Sequence, residues 1–270
     1  METMINLNKK LVPIEDDFIK KLKSKWLTLP QEPQENMSTF ILEGSHWFKS
    51  TKRNYISGWE SFPCVDAIMG CTHFIEAFIL KHGWQGFQIL EFEYSYYRMM
   101  GKHGVSIDQL EPNKPLIVSI PNWKTANFPE NWNEVVKICE ERNIDIHIDF
   151  AWLTTAKDID IDLSHPNIKS FAMSLSKYGQ QWNRVGLRWS RQRSMDSITI
   201  FNEFYGDVNT MAFACGLFML RNIPRDYGWD TYETKYNQIV EKNNLIPTKL
   251  IQVVKKLNDD QSYGIAPFLI

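Results

Sequence analysis

The chain has little of what marks several common classes of protein. Cysteine occurs four times in 270 residues, at positions 64, 71, 139 and 215. No two lie at CxxC spacing and none has a histidine at finger spacing, so neither a zinc module nor a disulfide framework organises the chain. The four thiols read as free in a reducing compartment. Charge of one sign is missing as well. Thirty basic against 32 acidic residues leave a formal charge of -2 and no like-charged block, which excludes the electrostatic footprint of a nucleic-acid binder. No apolar run approaches the ~18 residues of a membrane helix; residues 211–220 come nearest and are too few. The first ten residues hold no apolar stretch before a small-residue cleavage site, so a secretory leader is not expected and a cytoplasmic protein is. With only 13 glycines and 12 prolines, the chain does not read as disordered. The histidines show no ligand spacing, and His103 and His147 read as structural.

What is present is aromatic. Ten Trp and 16 Phe imply a large core and interfaces, since each ring buries much apolar surface. The length fits one large domain, or one domain with a small appendage. Residues 1–36 are charged. Phe18, Ile19, Leu22 and Trp26 predict a helix over 16–26, and Pro30 and Pro33 mark a linker. Residues 39–42 read as a short extended run, 61–69 as helical, and 73–82 as a second helix after a break at Gly70. Strands are then expected at 87–92, 116–120, 144–150, 170–175 and 185–189, with an amphipathic helix over 130–142. Such alternation predicts an α/β fold: a three-layer sandwich around a mainly parallel central sheet. Residues 231–257 read as one long helix, or two broken at Pro247. The expected organisation is an N-terminal helix and linker (1–36), a large domain (37–230) and a C-terminal helical segment (231–270).

In an open parallel sheet, ligands sit beyond the carboxyl ends of the strands. Asp149 falls at one such end. Ser174, Ser176 and Lys177 fall at the next, and Arg184 opens the strand after it. One crevice thus receives a carboxylate, two hydroxyls, an amine and a guanidinium. An amine captures an aldehyde. A buried carboxylate keeps a pyridine nitrogen protonated and the ring an electron sink. Arginine, hydroxyls and a helix start hold a phosphate. Gly70-Cys71-Thr72, opening the 73–82 helix, supplies that start. The set suits pyridoxal 5'-phosphate (PLP).

From residue 55 to residue 189 the chain resembles fold-type I PLP enzymes, most closely the class I/II aminotransferases. Ser174-Leu175-Ser176-Lys177-Tyr178-Gly179, continuing to Asn183-Arg184-Val185-Gly186, resembles their Schiff-base signature, with one residue fewer between lysine and arginine. Asp149-Phe150-Ala151-Trp152 resembles the D-x-A-Y element. Glu91-Phe92-Glu93-Tyr94-Ser95-Tyr96-Tyr97-Arg98 resembles the loop with the stacking aromatic, here Tyr94, for which packing is the competing role. Tyr55-Ile56-Ser57-Gly58 resembles the segment whose tyrosine reaches the neighbouring subunit's phosphate. The resemblance implies a homodimer, PLP on Lys177, Asp149 at the ring nitrogen, and Ser174, Ser176, Arg184, Gly70, Cys71 and Thr72 around the phosphate. It implies chemistry on an amino group, with Lys177 as the acid/base at Cα.

Three departures qualify that implication. Trp152 replaces the tyrosine that bonds the ring oxygen. In Ile120-Pro121-Asn122-Trp123-Lys124-Thr125-Ala126, Trp123 replaces the family asparagine, with Asn122 as its substitute. The family's small C-terminal domain, which carries an arginine for the substrate carboxylate, reads as much reduced, and residues 258–270 hold no arginine. Either the substrate lacks a free α-carboxylate, as a peptide or carrier-bound residue does, or Arg98, Arg221 or Arg225 serves instead. Transamination leads; decarboxylation, racemisation or elimination use the same apparatus. The reading from another class is a catalytically inactive binding or regulatory protein on this fold. Asp158, Asp160 and Asp162 alternate, but without the glycine and final glutamate of a calcium loop they read as a solvated run.

Overall fold

The computed structural model describes residues 7, 11–29, 37–122, 124–179, 183–205, 209–257, 259 and 261–270. Trp123 and the Pro30/Pro33 linker lie outside the described residues. Helices α1 (Asp17–Thr28) and α2 (Met37–Lys49) come first. Strands β1 (Tyr55–Ser57) and β2 (Cys64–Ile68), helix α3 (Cys71–His82), β3 (Gln88–Ile89) and the short α4 (Ser95–Met99) follow. Then come β4 (Leu116–Ser119), α5 (Trp132–Glu141), β5 (Ile146–Asp149), β6 (Asp160–Asp162), β7 (Ile168–Ser174) and β8 (Gly186–Ser190). Helices α6 (Ser197–Phe204), α7 (Thr210–Asn222) and α8 (Tyr227–Lys242) lead to β9 (Leu245–Pro247), β10 (Val253–Lys256), β11 (Ser262–Gly264) and α9 (Ala266–Leu269).

The central sheet has six strands in the order β2-β8-β7-β5-β4-β3. β3, β4, β5 and β7 pair in parallel, while β8 runs antiparallel to both β7 and β2. β4, β5 and β8 are buried at every position, as strands covered on both faces must be. One face packs Phe40 and Phe48 of α2, Val135 and Cys139 of α5, and Phe213 and Leu217 of α7. The other packs Ile75 and Phe78 of α3 and Ile198 of α6. The fold is therefore the expected α/β sandwich with a mainly parallel sheet.

Three local expectations are corrected. Residues 39–42 are helical, not extended: Phe40, Gly44 and Phe48 recur every fourth residue along the buried face of α2. Within 61–69 the chain forms strand β2 instead of a helix, because its five residues pair along the whole of β8. The C-terminal helix ends at Lys242, where Asn244 turns with φ +50°. The rest of that segment is a three-stranded antiparallel sheet, β11-β10-β9. Pro247 sits in its edge strand, where a missing N–H is tolerated. Trp229 and Tyr236 of α8 pack on Val254 and Tyr263 of this sheet and on Ile251 just before it.

Candidate functional site

The strand directions gather the chemistry at one sheet edge. β5 ends on Asp149 and β7 on Ser174. Because β8 runs the other way, Arg184, just before its start, stands at that same edge. β2 ends there too, and Gly70, with φ +77°, turns the chain into α3. Gly70 also passes close to Arg184, whose Cβ would lie 3.3 Å from any Cβ placed on it. Between these ends lies a cavity of about 280 Å³. Lys177, Asp149, Arg184, Ser176, Gly70, Cys71, Thr72, Tyr94 and Trp152 all line it. Nine of the twelve residues named from the sequence thus face one space.

Asp149 is 4% exposed, and its Oδ1 accepts the Ala151 N–H at 2.9 Å. Burial raises its pKa, against the Cys71 thiol, the Ala151 N–H and the charge of Lys177. Burial in turn lowers the pKa of Lys177; Asp149 opposes that and Arg184 adds to it. A lowered amine is a better nucleophile near neutral pH. The Lys177 Nζ lies 4.3 Å from the centre of the Trp152 ring. Arg184 Nη1 donates to Thr72 Oγ1 at 3.2 Å, so the guanidinium and the start of α3 form one donor group. Ser174 and Ser176 share a hydrogen bond at 2.8 Å. Burial pushes the Cys71 thiol well up, which leaves it protonated and inert.

Three of the named residues fall outside the cavity lining. Ser174 is fully buried beneath Ser176. Asn122 spends its carbonyl on the N–H groups of Lys124 (2.8 Å) and Thr125 (3.3 Å), and lines a neighbouring cavity instead. Tyr55 is 69% exposed on β1, which pairs with β6. The arginines offered for a substrate carboxylate are elsewhere. Arg225 is buried and donates to the carbonyls of Leu153 and Thr154. Arg221 pairs with Glu43, and neither they nor Arg98 line the cavity. Among the described residues no group of His, Cys, Asp and Glu could hold a metal ion; Asp162 accepts from Ser57 and Ser164. His147 is structural, bonded to Ser170 at 2.7 Å and lowered to about 3 by burial.

The sequence reading missed Leu11, Val12 and Pro13, which wall the cavity together with Ile75 and Ser119. It also passed over Glu93, buried behind Ser119. No helix among the described residues is long and apolar enough to cross a membrane.

The architecture is similar to that of solved aminotransferase structures. An alanine aminotransferase from Pyrococcus furiosus matches with TM-score 0.62 and 15% identity, over 93% of this chain and 76% of that one. An aromatic-amino-acid aminotransferase from Burkholderia pseudomallei, solved with covalently bound pyridoxal phosphate, matches with TM-score 0.54 and 11% identity, over 86% and 75%. L-threonine-O-3-phosphate decarboxylase from Porphyromonas gingivalis matches with TM-score 0.53 and 11% identity, over 89% and 82%. At such identities the likeness is one of fold. No protein-family model and no curated protein matches the chain.

Proposed function

We propose that this chain is a PLP-dependent enzyme of the aminotransferase type, homodimeric and cytoplasmic. The observation that carries the reading is the convergence of Lys177, Asp149, Arg184 and the start of α3 on one cavity. The donor set fits the cofactor group by group. Lys177 would hold its aldehyde carbon, Asp149 its ring nitrogen, and Arg184 with Ser176 and the residues at 70–72 its phosphate. Ser174 would support Ser176 from below. Bound there, PLP supplies an electron sink for bonds at the carbon bearing a substrate amine. The Lys177 amine would move the proton at that carbon. Burial keeps water away and lowers the cost of holding Lys177 neutral. Tyr94 covers one face of the cavity, and Tyr55 is free to reach a partner subunit.

The substrate we propose lacks a free α-carboxylate, as a peptide-linked or carrier-bound amino acid or an amine does. Among the described residues that line the cavity, Lys177 and Arg184 are the cations, and both already have tasks. One observation favours the second reading, cofactor held without turnover. The Asn122 side chain is spent elsewhere, its carbonyl on the N–H groups of its own loop and its amide N–H on the Phe92 carbonyl, and the Trp152 indole can donate but not accept. Titration of purified protein with PLP, followed by visible absorbance, tests the proposal. A band that Lys177→Ala abolishes is expected, and a colourless protein rejects the enzyme. Loss of the band with an amine or peptide, but not with free amino acids, supports the substrate class; a response to free amino acids alone rejects it.

A further inference from the structure

Glu93 is a second buried carboxyl at this sheet edge, and the proposed chemistry does not use it. It is 7% exposed. One oxygen accepts the Ser119 N–H at 2.8 Å. The other accepts the Ser119 hydroxyl at 2.7 Å and the Tyr94 N–H at 3.1 Å. Ser119 and Tyr94 both line the cofactor cavity, while Glu93 lines the cavity on the far side of Ser119. Ser119 ends β4 and pairs in register with Asp149. Tyr94 is the residue from which α4 starts. A single carboxyl therefore ties a strand end to a helix start, from behind both.

Resting on the PLP reading, we infer that Glu93 is a positioning residue for the cofactor. Through Ser119 and the Tyr94 N–H it sets where the Tyr94 ring and the end of β4 stand against the ring site. Among the described residues three donors converge on its two oxygens, and an ionised carboxylate can accept from all three. A protonated one keeps only weaker, neutral bonds and turns the Ser119 hydroxyl from donor to acceptor. The walls are then held best when Glu93 is charged.

Burial pushes Glu93 up to about 7, against the bonds from Ser119 and Tyr94, and Asp149 pushes it the same way as burial. The charged form is thus gained within the neutral range. Asp149 from β5 and Tyr97 from α4 face it, and Glu91, Asp108, Glu130 and Lys255 line the same cavity as Glu93. The Tyr97 hydroxyl is buried and has no partner among the described residues. Burial, Asp149 and Glu93 all raise its pKa, so it stays neutral throughout.

The test is PLP affinity of Glu93→Gln relative to wild type, read from the visible band across pH. Taking the ratio divides out the titrations of PLP and Lys177. The amide keeps the size of Glu93 but meets at least one donor with a donor. Its dissociation constant should match wild type near pH ~6 and exceed it about tenfold near pH ~8. Ser119→Ala, which removes only the hydroxyl, should show a smaller rise of the same direction, and keeps the inference testable if the first variant does not fold. A ratio that is raised but flat with pH indicates a merely structural carboxyl and overturns the inference. So does a ratio of one throughout. A wild type with no band overturns the cofactor reading and this inference together, whereas a normal wild-type band with a flat ratio overturns this inference alone.

Discussion

The Lys177 amine has an aromatic ring 4.3 Å away on one side, and the charge of the buried Asp149 is the largest influence opposing its burial. Burial wins, and the amine is easier to neutralise than a surface lysine. These two residues, with Arg184, were legible in the sequence because each sits at a strand end, where chemistry and chain position coincide. Glu93 was not. It lies among tyrosines two residues after Glu91, and such a glutamate reads as solvated until the fold brings up Ser119, 26 residues away. Its burial has a consequence for stability in the cofactor-free protein. The folded value of about 7 lies above the ordinary glutamate value of 4.5. Its contribution is thus fully present below the unfolded value and is lost as pH rises through the folded one. That loss is on the order of 3 kcal/mol. Urea unfolding should show wild type losing more stability than Glu93→Gln between about pH 5 and about pH 8. Equal losses in the two proteins would show that Glu93 does not titrate in this range.

At the scale of elements, the exception in the sheet is β8, the strand that runs against its neighbours. Its Arg188 is 5% exposed. Nη2 donates to Asp66 of β2 at 2.6 Å, and Nη1 donates to Asp196, the N-cap of α6, at 2.5 Å. Thr199 accepts a further bond at 3.0 Å. This network binds β2, β8 and α6 into one unit, and β2 leads directly to Gly70 and the start of α3. Asp66→Ala leaves Arg188 buried with one carboxylate instead of two. It should cost about 3 kcal/mol in chemical denaturation, since breaking a buried pair strands a charge. A loss under about 1 kcal/mol would mean that Asp196 alone satisfies the arginine. The sequence misled most among these same elements. Apolar spacing over 61–69 suits a helix as well as a strand, and only the register with β8 decides it. The apolar run at 39–42 is equally ambiguous, and helix α2 wins because Gly44 lets it approach Leu187 to 3.2 Å from an added Cβ.

At the scale of the whole molecule, the N-terminal segment joins the site to the C-terminal sheet. Leu11, Val12 and Pro13 wall the cavity, while Leu7 before them and Ile14 after them pack on the cluster of α8 and the β9–β11 sheet. Nothing in the sequence announced this, because short segments of mixed polarity carry no period and find their partners only through the fold. Asp16 fastens the arrangement. It accepts the Ile19 N–H at 2.8 Å as the cap of α1, and the hydroxyls of Tyr227, at 2.6 Å, and Tyr232 on α8. Burial pushes its pKa up, but these hydrogen bonds together outweigh burial and hold it below the usual carboxylate value. A depressed value makes its contribution present above the unfolded pKa and lost as pH falls through the folded one. Asp16→Asn keeps an acceptor for Ile19 but removes the charge from both phenol bonds, a change of about 1 kcal/mol. The variant should lose that much stability at about pH 7 and release the N-terminal segment to protease faster, with the gap to wild type narrowing below about pH 4. Stability and cleavage equal to wild type at neutral pH, or a gap that persists undiminished in acid, would show that the segment over the cavity is held by its apolar contacts and not by this carboxylate.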